Sequence, residues 1–88
     1  MSLEELRAKL TAIDRQIVEL IADRQGVVGE IGKSKQSTGR ATRDYEREKD
    51  VLDMARARAG ELGVDPNLAE EILTALIRAS LAHQERSR

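Results

Sequence analysis

The chain has 88 residues, 40% of them hydrophobic, with Tyr45 as its one aromatic side chain and no Phe, Trp or Cys. That bounds it to one domain, 1–88, with a core of Leu, Ile, Val and Ala and neither a disulfide framework nor a thiolate site, as expected of a cytoplasmic protein. Fifteen Lys and Arg against sixteen Asp and Glu leave a net charge of -1, which with the missing base-stacking aromatics argues against nucleic acid as a partner. The charged, amphipathic first residues read as neither signal peptide nor membrane span, so no membrane association is expected.

Ser2 and Glu5 form the S-x-x-E pattern of a capping box. Apolar residues follow at spacings of three and four: Leu3, Leu6, Leu10, Ile13, Ile17, Leu20 and, after Arg24, Val27 and Ile31. This heptad-like seam predicts a first helix from Ser2 through at least Ile31. Gly26, Gly29 and Gly32 each cost roughly 1 kcal/mol against Ala inside a helix, so propensity alone would end it near Gln25. The seam continues past them, and the glycines are expected to mark a bend or the close approach of another backbone. A long helix with little of its own chain to lie against also predicts that dimerisation completes the core.

Arg24 lies on the seam itself. A guanidinium among aliphatic neighbours is costly unless an anion or a dense hydrogen-bond network meets it, so Arg24 is expected to be buried with a partner. Lys35 returns close to the same azimuth about 16 Å further along the axis if the helix extends that far. The intervening GVVGEIGKS ends like a phosphate-binding loop at Gly32, Lys33 and Ser34. Val27 stands where the loop's first glycine belongs, and a helix rather than a strand precedes it, so the pattern does not fit.

Gln36 to Thr42 lacks periodicity and reads as a loop. A second helix is predicted from Thr42 or Arg43 to about Glu61, stopped by Gly63, with Asp44, Arg47 and Glu48 at i, i+3, i+4 on one face. Asp65 caps a third helix that has Pro66 at its first position. Leu68, Ile72, Leu73, Leu76 and Ile77 form its expected buried stripe, which turns polar at Ser80 and Gln84.

Taken singly, these polar groups have ordinary readings. Asp44, Arg47 and Glu48 fit an exposed ion-pair cluster worth a few tenths of a kcal/mol, Ser80 and Gln84 a solvated last turn, and Lys33 and Lys35 a surface. Arg24 differs because the seam predicts its burial, and the stretch from Arg24 to Glu48 therefore reads as a pocket for a small anion.

Leu6-Arg7, Ile13-Asp14, Asp23-Arg24, the G-K-S-K of Gly32 to Lys35, the R-D-Y-E-R-E of Arg43 to Glu48 and the S-L-A-H-Q of Ser80 to Gln84 together resemble the all-helical bacterial chorismate mutases. The likeness runs over nearly the full length without a gap. It implies an all-α fold of three helices with a long first helix, two chains intertwined as a homodimeric helical bundle with two active sites. It also implies conversion of chorismate to prephenate, on the route to phenylalanine and tyrosine, with no cofactor and no metal. Residue by residue, the resemblance implies that Arg7, Arg24, Lys35, Asp44, Arg47, Glu48, Ser80 and Gln84 line the pocket, with Arg7 supplied by the other subunit. Family members often carry proline where this chain has Ala41-Thr42, and some are fused to prephenate-processing or aldol-condensing enzymes, so a free enzyme and a domain both fit.

The chemistry of these side chains agrees with that inventory. Rearrangement of chorismate is pericyclic and unimolecular, so a catalyst must hold a reactive conformer and stabilise negative charge growing on the ether oxygen, with no nucleophile or general base. Arg7, Arg24 and Arg47 suit the two carboxylates because guanidinium forks are bidentate and always charged. Lys35 and Gln84 are the natural donors to the ether oxygen, with Glu48 and Asp44 as acceptors for the ring hydroxyl and Ser80 as an added donor to a carboxylate. Arg7 and Arg24 are about 25 Å apart on one straight helix and cannot clasp one small ligand in cis. Two first helices paired antiparallel about Val18 would bring the partner's Arg7 level with Gly29, between Arg24 and Lys35. An isochorismate pyruvate lyase on the same fold, or a non-catalytic dimerisation or regulatory module, are the alternatives; Asp44 and Glu48 set against a hydroxyl favour the mutase.

Overall fold

In the computed structural model the backbone is described for residues 1–38 and 44–86, and the side chains for 1–34 and 44–82. Three α-helices follow in order: α1 over Leu3–Thr38, α2 over Tyr45–Leu62 and α3 over Pro66–Arg86. α3 packs against both of the others, whereas α1 and α2 are not packed on one another among the described residues. At 1.5 Å per residue α1 alone is about 54 Å long, which accounts for the 55 Å longest dimension of the chain.

Each helix start is written in its cap. Glu5 N–H donates to Ser2 Oγ at 3.1 Å, the N-cap half of the expected capping box, while the Glu5 carboxylate meets the Ser2 hydroxyl, which donates to it at 3.2 Å. α1 then runs unbroken past Gly26, Gly29 and Gly32, and the helix continues through Gln36 to Thr38, where the sequence pattern suggested loop. Three glycines do not stop it because the amphipathic pattern on either side outweighs their propensity. Nothing lies within 4 Å of a Cβ placed on Gly26, so within one chain that glycine does not serve a close approach.

The second helix starts later than its expected Thr42 or Arg43, at Tyr45. Asp44 is not on the helix but caps it: its backbone is extended, φ -125 and ψ 97, and its Oδ1 accepts from Arg47 N–H at 3.0 Å. A carboxylate satisfies such an otherwise orphaned N–H from the N-cap position, where its own backbone lies outside the helical conformation. At the other end Gly63 adopts φ 72, Val64 N–H reaches back to Ala59 C=O at 2.8 Å and Gly63 N–H to Gly60 C=O at 3.4 Å. This is a Schellman stop. Asp65 Oδ1 then accepts from Asn67 N–H at 2.9 Å, and Pro66 opens α3. Arg56 of α2 ties the hairpin across to Asn67 Oδ1 at 3.0 Å and Glu70 Oε2 at 3.3 Å on α3.

The core is small: among the described residues, Val28, Ala55, Ala59 and Ile77 are the buried apolar side chains. Alanines on α2 let its backbone come close to α3. Of the stripe expected on α3, Leu73, Leu76 and Ile77 are covered, whereas Leu68 and Ile72 are half exposed and Ala69 takes part in their place. Wedging α3 against two helices selects the face centred between them. Likewise α1 lays Ile21, Arg24, Gln25, Val28 and Gly32 toward its own chain, so that of the seam residues Arg24 is the one turned to α3 while the aliphatic ones before it face away. Leu3, Leu6, Leu10, Ile13, Ile17 and Leu20 remain between 49% and 66% exposed.

Gly63→Ala should destabilise the protein by about 1 kcal/mol or somewhat more, because Ala must adopt a positive φ there. Urea titration monitored by circular dichroism measures it, and an unchanged midpoint would contradict the stop.

Candidate active site

One stripe of the same period comes from each helix to a single hollow between α1 and α2, with α3 behind it. Arg24, Val27, Val28 and Ile31 come from α1; Asp44, Arg47, Glu48 and Val51 from the cap and first turns of α2; Ile77, Ser80 and Leu81 from α3. The cavity holds about 240 Å³, which suits a small metabolite rather than a polymer.

Arg24 is its best-fixed group. Its Nη1 donates to Leu76 C=O at 3.3 Å and to Ser80 Oγ, and the Ser80 hydroxyl donates in turn to Leu76 C=O at 2.7 Å. The guanidinium is half-buried and Ser80 is buried. A cation on an apolar seam is thus met by a neutral network, which positions it without neutralising it. Across the hollow, the first turn of α2 presents Arg47 and Glu48 beside the capping carboxylate of Asp44. The helix is expected to tolerate this crowd because acidic side chains complement its N-terminus, and Glu46 and Glu48 both lie in that first turn.

Five of the residues singled out from sequence therefore share one wall set: Arg24, Asp44, Arg47, Glu48 and Ser80. Arg7 does not join them; it is exposed on the first half of α1, about 25 Å from Arg24 along the axis. Lys35 and Gln84 lie on α1 and α3, and their side chains fall outside the described ones. The apolar lining was not foreseen as part of the site. Its signal was present as the repeated i, i+3, i+4, i+7 spacing of 24, 27, 28, 31 and of 44, 47, 48, 51, matched by 77, 80, 81. Among the described residues, no group of His, Cys, Asp and Glu could hold a metal ion, and no helix is long and apolar enough to cross a membrane.

The family described as chorismate mutase type II matches residues 6–85. The chain belongs to the chorismate mutase type II family. Its three-helix, all-α architecture is that expected from the likeness. A chorismate mutase of Methanocaldococcus jannaschii is 35% identical over 83 residues, covering 94% of this chain and 84% of that protein. The T-protein of Haemophilus influenzae is 31% identical over 94% of this chain but 22% of its own length. A bifunctional chorismate mutase/prephenate dehydratase of Escherichia coli K12 is 29% identical over 91% of this chain and 21% of its own. The chain thus spans about a fifth of these two longer relatives.

Asp44 has two separable contributions, a cap and a charge. Asp44→Asn should leave stability within a few tenths of a kcal/mol, since Asn caps as well as Asp, whereas Asp44→Ala should cost about 1 kcal/mol. Thermal unfolding of both variants checks this, and equal losses would contradict the capping role.

Proposed function

We propose that the protein is a chorismate mutase that converts chorismate to prephenate by electrostatic positioning alone, in a site completed by a second copy. The observation that carries this reading is the hollow itself, in a chain of this family: an anchored guanidinium faces Arg47 and Glu48 across apolar walls. A substrate with two carboxylates, a hydroxyl and an apolar ring face needs those groups. Arg24 and Arg47 bind carboxylate, Glu48 and Asp44 accept from the hydroxyl, and the valine, isoleucine and leucine side chains enclose the ring and exclude water.

The walls described in one chain carry two arginines against two carboxylates, so their formal charges cancel. A dianion requires further cations. Lys35 and the partner's Arg7 supply them in this reading, with Lys35 and Gln84 donating to the ether oxygen as it gains charge. A half-naked α1 supports the second copy: the six aliphatic side chains of the seam from Leu3 to Leu20 stand about half exposed. Covering the exposed half of such a side chain stabilises by roughly 1 kcal/mol, and an antiparallel partner helix would cover all six at once. The pairing that buries them also carries the partner's Arg7 toward the pocket.

The direct test mixes purified protein with chorismate and follows its loss together with prephenate and salicylate. Prephenate is the expected product; salicylate would instead identify a pyruvate lyase, and no turnover a non-catalytic module. Lys35→Ala should lower kcat by about a hundredfold or more while leaving the circular dichroism spectrum unchanged. A folded Lys35→Ala protein with wild-type turnover would remove the proposed stabilisation of the ether oxygen.

A further inference from the structure

The seam of α1 has two edges, and they differ in chemistry. With the seam written as the a and d positions of a heptad, Leu3, Leu10, Ile17, Arg24 and Ile31 stand at a, and Leu6, Ile13, Leu20 and Val27 at d. One flank, the e positions, holds Arg7, Asp14, Ile21 and Val28; the other, the g positions, holds Lys9, Gln16, Asp23 and Glu30. Ile21 and Val28 turn toward their own chain, so the e edge leads to the hollow, which Val28 lines. The four g residues are all exposed. Among the described residues, neither Lys9 nor Glu30 has an ion pair within its own chain.

In an antiparallel helix pair each a residue meets a d residue, while g faces g and e faces e. A two-fold between Val18 and Glu19 sets Leu6 with the partner's Ile31, Leu10 with the partner's Val27, Ile13 with the partner's Arg24 and Ile17 with the partner's Leu20. It also sets Lys9 beside the partner's Glu30, Gln16 beside the partner's Asp23 and Arg7 beside the partner's Val28. Other pairings meet like charges. Sliding one heptad toward the N-terminus puts Asp14 on its own copy and carries Arg7 about 10 Å, from the partner's Val28 to the partner's Ile21. Sliding the other way puts Asp23 on its own copy, and a parallel pair stacks Arg24 on its own copy in one core layer.

We infer that Lys9 and Glu30 are positioning residues: their reciprocal ion pair, made twice across a second copy, selects the antiparallel register that brings Arg7 to the partner's hollow. This inference rests on the two-copy reading of the site. Exposed ion pairs add little affinity, but they choose among registers whose apolar contacts are alike.

Charge reversal on the full-length protein tests it, with dissociation measured by sedimentation and composition by native mass spectrometry. Lys9→Glu sets two acidic side chains against each other at both contacts, and Glu30→Lys two basic ones, so each homodimer should dissociate about tenfold more readily. Mixing the two variants restores opposite charges at both contacts, so the mixture should form the heterodimer in preference to either homodimer. The double variant Lys9→Glu/Glu30→Lys should regain wild-type affinity. Homodimers as tight as wild type, or a mixture holding only the random half of heterodimer, would overturn the pairing. Weakening in Lys9→Glu alone would also overturn it, because that result marks the slid register, in which Lys9 meets the partner's Asp23. A wild-type chain that stays monomeric would remove the second copy and the pairing together, whereas a wild-type dimer indifferent to both reversals would remove the pairing and leave the second copy standing.

Discussion

A guanidinium cannot sit on an apolar helix seam without acceptors, and the way Arg24 finds them organises this molecule. Its partners, Leu76 C=O and Ser80 Oγ, both lie on α3, so satisfying the cation fixes where α3 crosses α1. That crossing puts Ile77 and Ser80 in the interior and displaces Leu68 and Ile72 outward. Because the partners are neutral, the charge is held but not cancelled. The same contacts that make the burial tolerable keep Arg24 on the wall of the hollow.

A second constraint is the mismatch between the length of α1 and the amount of chain available to cover it. α2 and α3 form a tight hairpin, closed by the Gly63 stop, the Asp65 cap and the Arg56 bridge, and this hairpin reaches only the second half of α1. The first half keeps its aliphatic seam in solvent. In the proposed function the uncovered seam and the missing cations are one problem, because a second chain laid antiparallel along α1 answers both. Site assembly and dimer assembly would then be thermodynamically linked, since a monomer would lack part of its core as well as Arg7.

Local chemistry made much of the fold legible in the sequence. Ser2 with Glu5, Gly63, and Asp65 with Pro66 each determine a helix end through side chains or glycine acting within a few residues, and each end was found as read. What escaped depends on packing between elements. Which face of α3 would be covered could not be decided from Leu68, Ile72, Leu73, Leu76 and Ile77 alone, because two flanking helices choose it. Asp44 looked like a helical residue because i, i+3, i+4 spacing holds equally for a residue in the helix and for its cap. The charged members of the hollow were evident as oddities on helical faces, whereas Val28, Val51 and Leu81 are apolar residues on apolar helical faces and gain meaning only where three helices bring them around one cavity.

If one working site is built from two chains, as proposed, two inactive variants should complement one another. Arg7→Ala and Arg24→Ala homodimers should each be nearly inactive, every site lacking one cation. In a mixed dimer, the pocket on the Arg7→Ala chain keeps its own Arg24 and receives Arg7 from its partner, while the other pocket lacks both. Random exchange makes about half the dimers mixed, so co-refolding equal amounts should restore about a quarter of wild-type prephenate formation. A co-refolded mixture no more active than the separately refolded variants, with exchange confirmed by a mass tag, would contradict the shared site.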